Sequence, residues 1–392
     1  MLRPVYAVAV GAARLAAKVA PVRDGKFWRS LGARKHIEER YAAWGAAHRD
    51  ANRPLLWMHA PSVGEGLQAR PVLEQLRASH RDLQIAYTHF SPSAEQFAHS
   101  LGADFADYLP FDSPADARAA LDALTPDALV YSKLDVWPEL TREAARRGVP
   151  LGLISATMAA RSGRRSRLAK ILLGDAYARL DAVGAIDQED AARLVALGVR
   201  PAVIEVTGDT RYDQVWARAQ RVERGGTLLA PLESDRPTVV AGSTWPADEA
   251  VLFPAWRAVH RQVPRARLVI APHEPSPAHL ASVERWAAGD RLALARLSDA
   301  AAATADVILV DRLGVLGDLY ALAWAAFVGG GFHEAGLHSV LEPAAFGAPV
   351  AFGPRWERSR DAGLLARAGG GVSVPNATAL AGALMGWVLA DG

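Results

Sequence analysis

Short runs of β-branched and other apolar residues alternate with longer segments of helical apolar spacing from residue 55 onward. In the first half, this pattern predicts strands at residues 55–60, 83–90, 128–134, 150–156, 182–186 and 204–208. The intervening segments, such as 66–77 and 189–197, are predicted helices. Strands that alternate with helices of this length are typical of parallel βαβ units.

A polar stretch at residues 213–237 interrupts this alternation, which then restarts with predicted strands at 238–244, 267–272, 307–311, 325–330, 348–353 and 371–374. We therefore predict an α/β fold with two Rossmann-like domains, residues 1–213 and 237–392, joined by a linker at 214–236. Because ligands favour domain boundaries and the carboxyl ends of parallel strands, we also expect a ligand cleft between the domains. A TIM barrel shares the alternation, but the mid-chain break argues against it.

The N-terminal segment is mostly apolar over residues 5–17, but Arg14 interrupts it and Pro21 ends it. A membrane-spanning helix needs roughly 20 apolar residues, so this segment is too short and too charged to span. Basic residues follow at positions 23, 26, 29, 34 and 35. The pattern favours an interfacial amphipathic helix on a membrane surface. A surface helix packed on its own domain is the alternative.

Composition narrows the chemistry. The 392 residues carry a formal net charge of +2, which argues against a broad nucleic-acid surface. The absence of cysteine excludes disulfides, thiolate metal sites and a cysteine nucleophile. No metal-binding histidine motif or Asp-x-Asp pair occurs, so we expect no metal, and the lack of a Gly-x-Ser-x-Gly elbow weakens a hydrolase reading.

A glycine-rich segment follows the strand predicted at 325–330. Gly329 and Gly330 let the backbone approach a ligand closely, and Ser339 and Glu342 have the spacing of a capping box at a helix start. A helix N-terminus favours an anion, so a nucleotide phosphate is the natural ligand. A plain turn with a capped helix is the alternative.

The segment at residues 57–66 also passes from a strand to a helix, with Ser62 and Glu65 at capping-box spacing. In one interpretation, Glu65 is only the capping-box partner of Ser62 at the start of the helix. It would alternatively be a carboxylate at the carboxyl end of a strand, kept ionised by the helix N-terminus and able to act as a base at neutral pH. The spacing leaves both interpretations open.

Three further positions carry candidate chemistry. Ser243 and Thr244 follow the first strand of the second domain, where their hydroxyls could bind phosphate or sugar or only cap a helix. His273 ends the next strand and is placed to meet a ligand, although a lone histidine is more often structural. A basic run that includes Arg161 and Arg164 is typical of a solvated face, but it could also bind phosphates of an acceptor.

Together these segments resemble the bacterial transferases of 3-deoxy-D-manno-octulosonic acid (Kdo). The resemblance rests on residues 59–65, Trp137 with Pro138, 206–213, 242–244 and 338–343, which occur in consistent order within about 55–374. It implies a GT-B fold and inverting transfer of Kdo from CMP-Kdo to a lipid A precursor, lipid IVA, in lipopolysaccharide core biosynthesis. It also implies that neither a metal nor another cofactor is needed, and that the enzyme works at the cytoplasmic face of the inner membrane.

The resemblance also implies roles for single residues. Glu65 falls at the position of the general base that deprotonates the acceptor hydroxyl. The expected acceptor-side residues are Ser62, Gly64, Asp135, Arg161 and Arg164. The expected donor-binding residues are Ser243, Thr244, His273, Gly329, Gly330, Ser339, Glu342 and Arg211. Within this set, Glu342 would bind ribose hydroxyls and the helix start near Ser339 would face the phosphate.

The chain departs from many relatives in the donor half, where Pro272 stands for arginine, Trp245 for histidine and Ser339 for asparagine. Asp135 stands for glutamate and Arg211 for lysine. With these differences, the donor sugar could be Kdo or a slightly different sugar. The alternative functions are another GT-B nucleotide-sugar enzyme, such as a UDP-sugar transferase or epimerase, and a non-catalytic GT-B module that binds nucleotide sugar or membrane.

Overall fold

The computed structural model describes residues 3–19, 26–159 and 162–389. The chain divides into two compact units, a first unit of Met1–Gln214 and a second unit of Val215–Gly392. Each unit is built around one parallel sheet of seven strands, so the predicted pair of Rossmann-like α/β units is confirmed.

The sheet of the first unit has the strand order β3-β2-β1-β4-β5-β6-β7, and all its described pairings are parallel. Its strands are β1 (Leu55–His59), β2 (Gln84–His89), β3 (Phe105–Tyr108), β4 (Ala128–Ser132), β5 (Leu151–Ala156), β6 (Ala182–Ala185) and β7 (Ile204–Val206). The helices are α1 (Arg3–Val19), α2 (Lys26–Gly32), α3 (Ile37–His48), α4 (Val63–Ser79), α5 (Glu95–Ser100), α6 (Pro114–Leu124), α7 (Pro138–Arg146), α8 (Arg167–Ala178), α9 (Gln188–Leu197) and α10 (Thr210–Gln220).

Helices cover both faces of this sheet, so β1 is buried at every position. Successive strand residues point to opposite faces, and accordingly Trp57 belongs to one apolar core while Met58 belongs to another. This double burial explains why the strands appear in the sequence as continuous apolar runs.

The sheet of the second unit has the order β10-β11-β9-β8-β12-β13-β14, again with parallel pairings. Its strands are β8 (Thr238–Thr244), β9 (Arg267–Pro272), β10 (Leu294–Arg296), β11 (Val307–Leu309), β12 (Ala325–Val328), β13 (Val350–Phe352) and β14 (Gly371–Ser373). Its helices are α11 (Pro246–Gln262), α12 (Pro277–Gly289), α13 (Leu316–Leu319), α14 (Leu341–Ala344), α15 (Arg360–Arg367) and α16 (Ala377–Leu389).

Every strand predicted from the sequence overlaps an observed one, and β3 and β10 are the two that were missed. Both lie at the edge of their sheet and have only four and three residues. Edge strands need not be apolar on both faces, so such short runs carry little signal.

The predicted linker at 214–236 is partly wrong. Helix α10 continues through its first residues, to Gln220. Further along, Leu229 and Leu232 are buried in a core of the second unit. Two buried leucines within a polar segment are enough to attach it to the domain that follows.

Helix α1 packs on the first unit, with the Tyr6 hydroxyl donating to Asp112 Oδ2 at 2.7 Å and Arg14 pairing with Asp116 at 3.0 Å. Val8 and Leu15 on the same helix are exposed. The helix therefore combines domain packing with an apolar outer surface. Of the helices within residues 3–19, 26–159 and 162–389, none is long and apolar enough to cross a membrane.

Candidate active site

The candidate base, Glu65, lies near the point in the first sheet where the strand order reverses. Strand β1 is flanked by β2 on one side and β4 on the other, and a doubly wound sheet opens a crevice beyond the carboxyl ends of strands at such a point. Glu65 lies in the first turn of α4, which follows β1, and Lys133 directly follows β4. The topology of the sheet thus brings the acidic side chain of Glu65 and the basic side chain of Lys133 together at the carboxyl ends of the strands, where ligands bind.

The Glu65 carboxylate is held by two side chains. Lys133 Nζ donates to Glu65 Oε1 at 3.0 Å, and the Ser62 hydroxyl donates to Oε2. Ser62 is the N-cap of α4, but its side chain makes no capping hydrogen bond to the backbone. The capping box predicted here is therefore not formed, and the carboxylate faces Lys133 instead.

Electrostatics keep this carboxyl group ionised. Partial burial raises the pKa of Glu65, but the hydrogen bonds from Ser62 and Lys133, together with the lysine charge, outweigh burial and bring the pKa below its ordinary value. Glu65 is therefore a carboxylate at neutral pH and can accept a proton. Lys133 has a left-handed backbone, with φ of 67°, which is uncommon for a residue with a side chain and marks a constrained turn.

A second polar group lies beside this pair. His59, fully buried at the end of β1, contacts Thr88 Oγ1 through Nδ1 at 3.0 Å and Asp135 Oδ2 through Nε2 at 3.2 Å. The Trp137 indole also donates to Asp135 Oδ2, at 3.0 Å. Burial raises the pKa of Asp135. The interaction with His59, the hydrogen bond from Trp137 and the charge of Arg164 outweigh burial and bring the pKa below its ordinary value, so this carboxyl group is also ionised.

The other acceptor-side predictions have mixed outcomes. Arg164 Nη2 lies 3.5 Å from Asp135 Oδ1, so the structure places this arginine beside the polar group. Gly64 is exposed at the start of α4. Arg161 lies outside the described residues. Sequence reasoning missed Lys133 and His59 as members of the site, although a lysine immediately after a buried strand was an available signal.

The second unit has a comparable switch point between β8 and β12. Ser243 lies at the end of β8 with a left-handed φ of 53°. A Cβ added to Gly329 would lie 2.3 Å from the carbonyl oxygen of Ser243. Only glycine fits at this approach. Gly329 and Gly330 thus line a tightly packed turn at the ligand-binding edge.

Asp248 anchors this glycine turn. Its fully buried carboxylate accepts hydrogen bonds from the backbone N–H groups of Gly330 at 2.7 Å, Phe332 at 3.1 Å and Trp245 at 3.0 Å. One side chain therefore joins the turn after β12 to the start of α11. Asp248 was not among the residues predicted for the site.

Aromatic rings form a stack above the turn. Trp245 lies between His333, at a centroid distance of 4.2 Å, and His273, at 4.5 Å. The indole donates to His338 Nε2 at 3.1 Å, and His338 stacks on His273. Burial and the neighbouring His273 lower the pKa of His338, so this ring is neutral at neutral pH. The predicted donor residue His273 belongs to this cluster.

A helix begins near Ser339 as expected, but Ser339 does not cap it. Helix α14 covers only Leu341–Ala344, its N-cap is Val340, and no side chain caps it. The Glu342 carboxylate does not turn back to Ser339 and instead lies 3.9 Å from Arg218 Nη1. Burial raises the pKa of Glu342. Such a short helix offers little to a phosphate, so the glycine turn is the better candidate for close backbone contact.

Two predicted donor residues have internal partners. The Thr244 hydroxyl is buried and donates to Glu249 at 2.9 Å. Arg211 belongs to the first unit and pairs with Asp209 at 2.7 Å. Among the described residues, no group of three or more histidine, aspartate or glutamate side chains could hold a metal ion. A metal-free reaction remains a prediction.

The fold has known counterparts. The UDP-GlcNAc 2-epimerase of Neisseria meningitidis, in complex with UDP-GlcNAc, superposes with a TM-score of 0.60 at 14% identity, covering 86% of this chain and 92% of that one. A second solved structure, a putative UDP-N-acetylglucosamine 2-epimerase of Listeria monocytogenes, has a TM-score of 0.58 at 14% identity, covering 86% and 88%. Paired Rossmann-like units of this kind define the GT-B fold class.

Sequence relatives are more specific. The family model for 3-deoxy-D-manno-octulosonic-acid transferase matches residues 35–214. A 3-deoxy-D-manno-octulosonic acid transferase of Bordetella pertussis is 33% identical over 361 residues, covering 88% of this chain and 82% of the relative. The enzyme of the same description from Haemophilus influenzae is 27% identical, covering 82% and 75%. The chain belongs to the 3-deoxy-D-manno-octulosonic-acid transferase family and is therefore a glycosyltransferase.

Proposed function

We propose that the protein transfers Kdo from CMP-Kdo to a hydroxyl group of a lipid A precursor such as lipid IVA, with inversion at the anomeric carbon. The observation that carries this proposal is the Glu65 carboxylate, held ionised by Ser62 and Lys133 at the carboxyl edge of the first sheet.

In this reaction Glu65 accepts the proton of the acceptor hydroxyl as its oxygen attacks the anomeric carbon of Kdo. The bond from that carbon to the phosphate oxygen breaks, and CMP leaves with the bonding electron pair. Lys133 holds the carboxylate in place and keeps it deprotonated. The side chain of Arg164 is 39% exposed and contacts Asp135 through Nη2, so the guanidinium is accessible to a phosphate of the acceptor.

The second unit would hold the nucleotide. The glycine turn fixed by Asp248 supports this assignment, because it lies at the carboxyl end of β12, where parallel α/β sheets bind ligands. Developing negative charge on CMP would then be stabilised by protein dipoles, without a metal.

The acceptor is a lipid, so we further propose that the first unit contacts the cytoplasmic face of the inner membrane. Two helices support this. Val8 and Leu15 are exposed on α1, and Leu168 and Ile171 are exposed on α8. Exposed Lys170 lies among the apolar positions of α8, as in helices that lie on anionic lipid surfaces.

A transfer assay tests the proposal. Purified full-length protein with CMP-Kdo and lipid IVA should give a Kdo-bearing lipid by mass spectrometry, and Glu65→Gln should lose about 10²–10⁴-fold in kcat. Glu74→Gln, an exposed position on the same helix, is the matched control and should keep wild-type turnover. Tighter calorimetric binding of UDP than of CMP would contradict the donor and favour a UDP-sugar enzyme.

A further inference from the structure

A cavity of about 510 Å³ lies in the first unit, close to the candidate base but separate from it. Its volume is in the range of small-molecule sites, roughly 300–1,000 Å³. The walls are mainly apolar and include Val10, Ala13, Leu31, Phe90, Phe111 and Trp137. Helix α1 supplies one side, so the N-terminal helix helps to enclose the cavity.

Two charged side chains line this mainly apolar cavity: Asp112, whose carboxylate already accepts three hydrogen bonds, and Arg34. Arg34 is only 5% exposed; its Nε donates to the Leu109 carbonyl at 2.9 Å and its Nη1 donates to the Ser30 carbonyl and hydroxyl, both at 2.7 Å. Nη2 has no hydrogen-bond partner among the described residues. Burial lowers the pKa of Arg34 to about 10, so the guanidinium remains charged at neutral pH. A buried donor without an acceptor is rare and points to a ligand that supplies one.

Two short links connect the cavity to the active site. Trp137 forms part of the wall and donates to Asp135 in the polar group. Phe90 stacks on Trp137 at 5.5 Å, and its backbone N–H donates to Pro61, the residue before Ser62. A molecule in the cavity would therefore lie against the segments that carry Glu65 and its partner.

From these contacts we infer that the cavity binds one acyl chain of the lipid acceptor, with a carbonyl oxygen of that chain accepting a hydrogen bond from Arg34 Nη2. The apolar walls favour a hydrocarbon chain over a sugar or a free phosphate. The single unpartnered donor matches one neutral oxygen, because a phosphate would bring a second buried negative charge into a lining that already contains Asp112. This inference rests on the proposed transfer to a lipid A precursor.

Filling the cavity tests the inference. Ala13→Trp places an indole on a wall residue, whereas Ala46→Trp makes the same change at an exposed position of α3, outside the cavity lining. Each methylene kept out of an apolar site weakens binding about fourfold. We therefore expect Ala13→Trp to raise the KM for lipid IVA by on the order of tenfold. Its KM for CMP-Kdo should not change, and Ala46→Trp should match the wild type in both constants.

Acceptors with shortened acyl chains provide the second arm. With chains too short to occupy the cavity, the wild type and Ala13→Trp should have the same acceptor KM. Arg34→Lys, which keeps the charge but not the Nη2 position, should raise the KM for the long-chain acceptor several-fold and leave the KM for CMP-Kdo unchanged.

The outcomes separate this inference from the proposed function. An unchanged long-chain KM in folded Ala13→Trp would overturn the acyl site while transfer itself stands. The same holds if the penalty is equal for long and short chains. If the wild type transfers Kdo to none of these lipids, both the proposed function and the acyl site fall.

Discussion

Asp112 connects the N-terminal helix to the start of α7, and its replacement should destabilise the first unit. The buried carboxylate accepts three hydrogen bonds, from the backbone N–H groups of Glu139 at 3.0 Å and Leu140 at 2.8 Å and from the Tyr6 hydroxyl at 2.7 Å. The two N–H groups belong to the first turn of α7 and have no partner within the helix.

The isosteric change Asp112→Asn directs an amide N–H₂ at one of these three donors. Leaving a buried donor unpaired costs about 1–3 kcal/mol. The lost negative charge at the start of α7 adds about 0.3–1 kcal/mol. Removal of a buried charge offsets part of this sum, so we expect the free energy of unfolding to fall by about 1–3 kcal/mol.

Urea unfolding followed by circular dichroism measures this change as a lower midpoint. Asp122→Asn replaces an exposed aspartate on α6 and is the control, with an expected change within about 0.5 kcal/mol. Tyr6→Phe removes only one of the three donors and should fall between the two. A midpoint for Asp112→Asn equal to that of the control would refute the reasoning.

Three further predictions follow from the site and the surface. Lys133→Met removes a partner that lowers the pKa of Glu65. The acid limb of the kcat/KM–pH profile reports protonation of this carboxylate as the pH falls, so it should move to higher pH. An acid limb at the wild-type pH would contradict the pairing. Gly329→Ala places a Cβ 2.3 Å from a backbone oxygen and should abolish CMP binding by calorimetry; wild-type affinity would exclude the glycine turn as donor site. Ile171→Asp, at a position 64% exposed, should reduce co-sedimentation with anionic vesicles without changing the melting temperature; undiminished binding would remove α8 from the membrane surface.

Much of the fold was predictable because the parallel strands are buried on both faces. Residues 268–272, for example, are all apolar, and the structure has a strand at Arg267–Pro272. The edge strands β3 and β10 lack this signal, since one edge of each is unpaired and few residues are involved. The helical start of the predicted linker was missed because polar surface helices and polar linkers have similar composition.

The site was predictable only in part. Gly329 directly follows β12 and Glu65 lies in the first turn of the helix after β1, so the local sequence was enough to predict both at the carboxyl ends of strands. Lys133 and Asp248 were missed because their roles depend on partners 68 and 82 residues away. Arg34 was assigned to a basic flank, since nothing in the local sequence indicates that its guanidinium is buried between α2 and the strand ends.

The capping boxes illustrate the same limit. Serine and glutamate occur at identical spacing in 62–65 and 339–342. Neither pair forms a capping box. The Ser62 hydroxyl donates to the Glu65 carboxylate and does not cap the helix, and the N-cap of α14 is Val340 instead of Ser339.

The most direct test of the central claim is the rate of Kdo transfer from CMP-Kdo to lipid IVA by Glu65→Gln, measured beside the wild type and Glu74→Gln by mass spectrometry of the lipid product. We predict a wild-type rate for Glu74→Gln and a loss of about 10²–10⁴-fold for folded Glu65→Gln. Near-normal turnover by Glu65→Gln would contradict the assignment of the base.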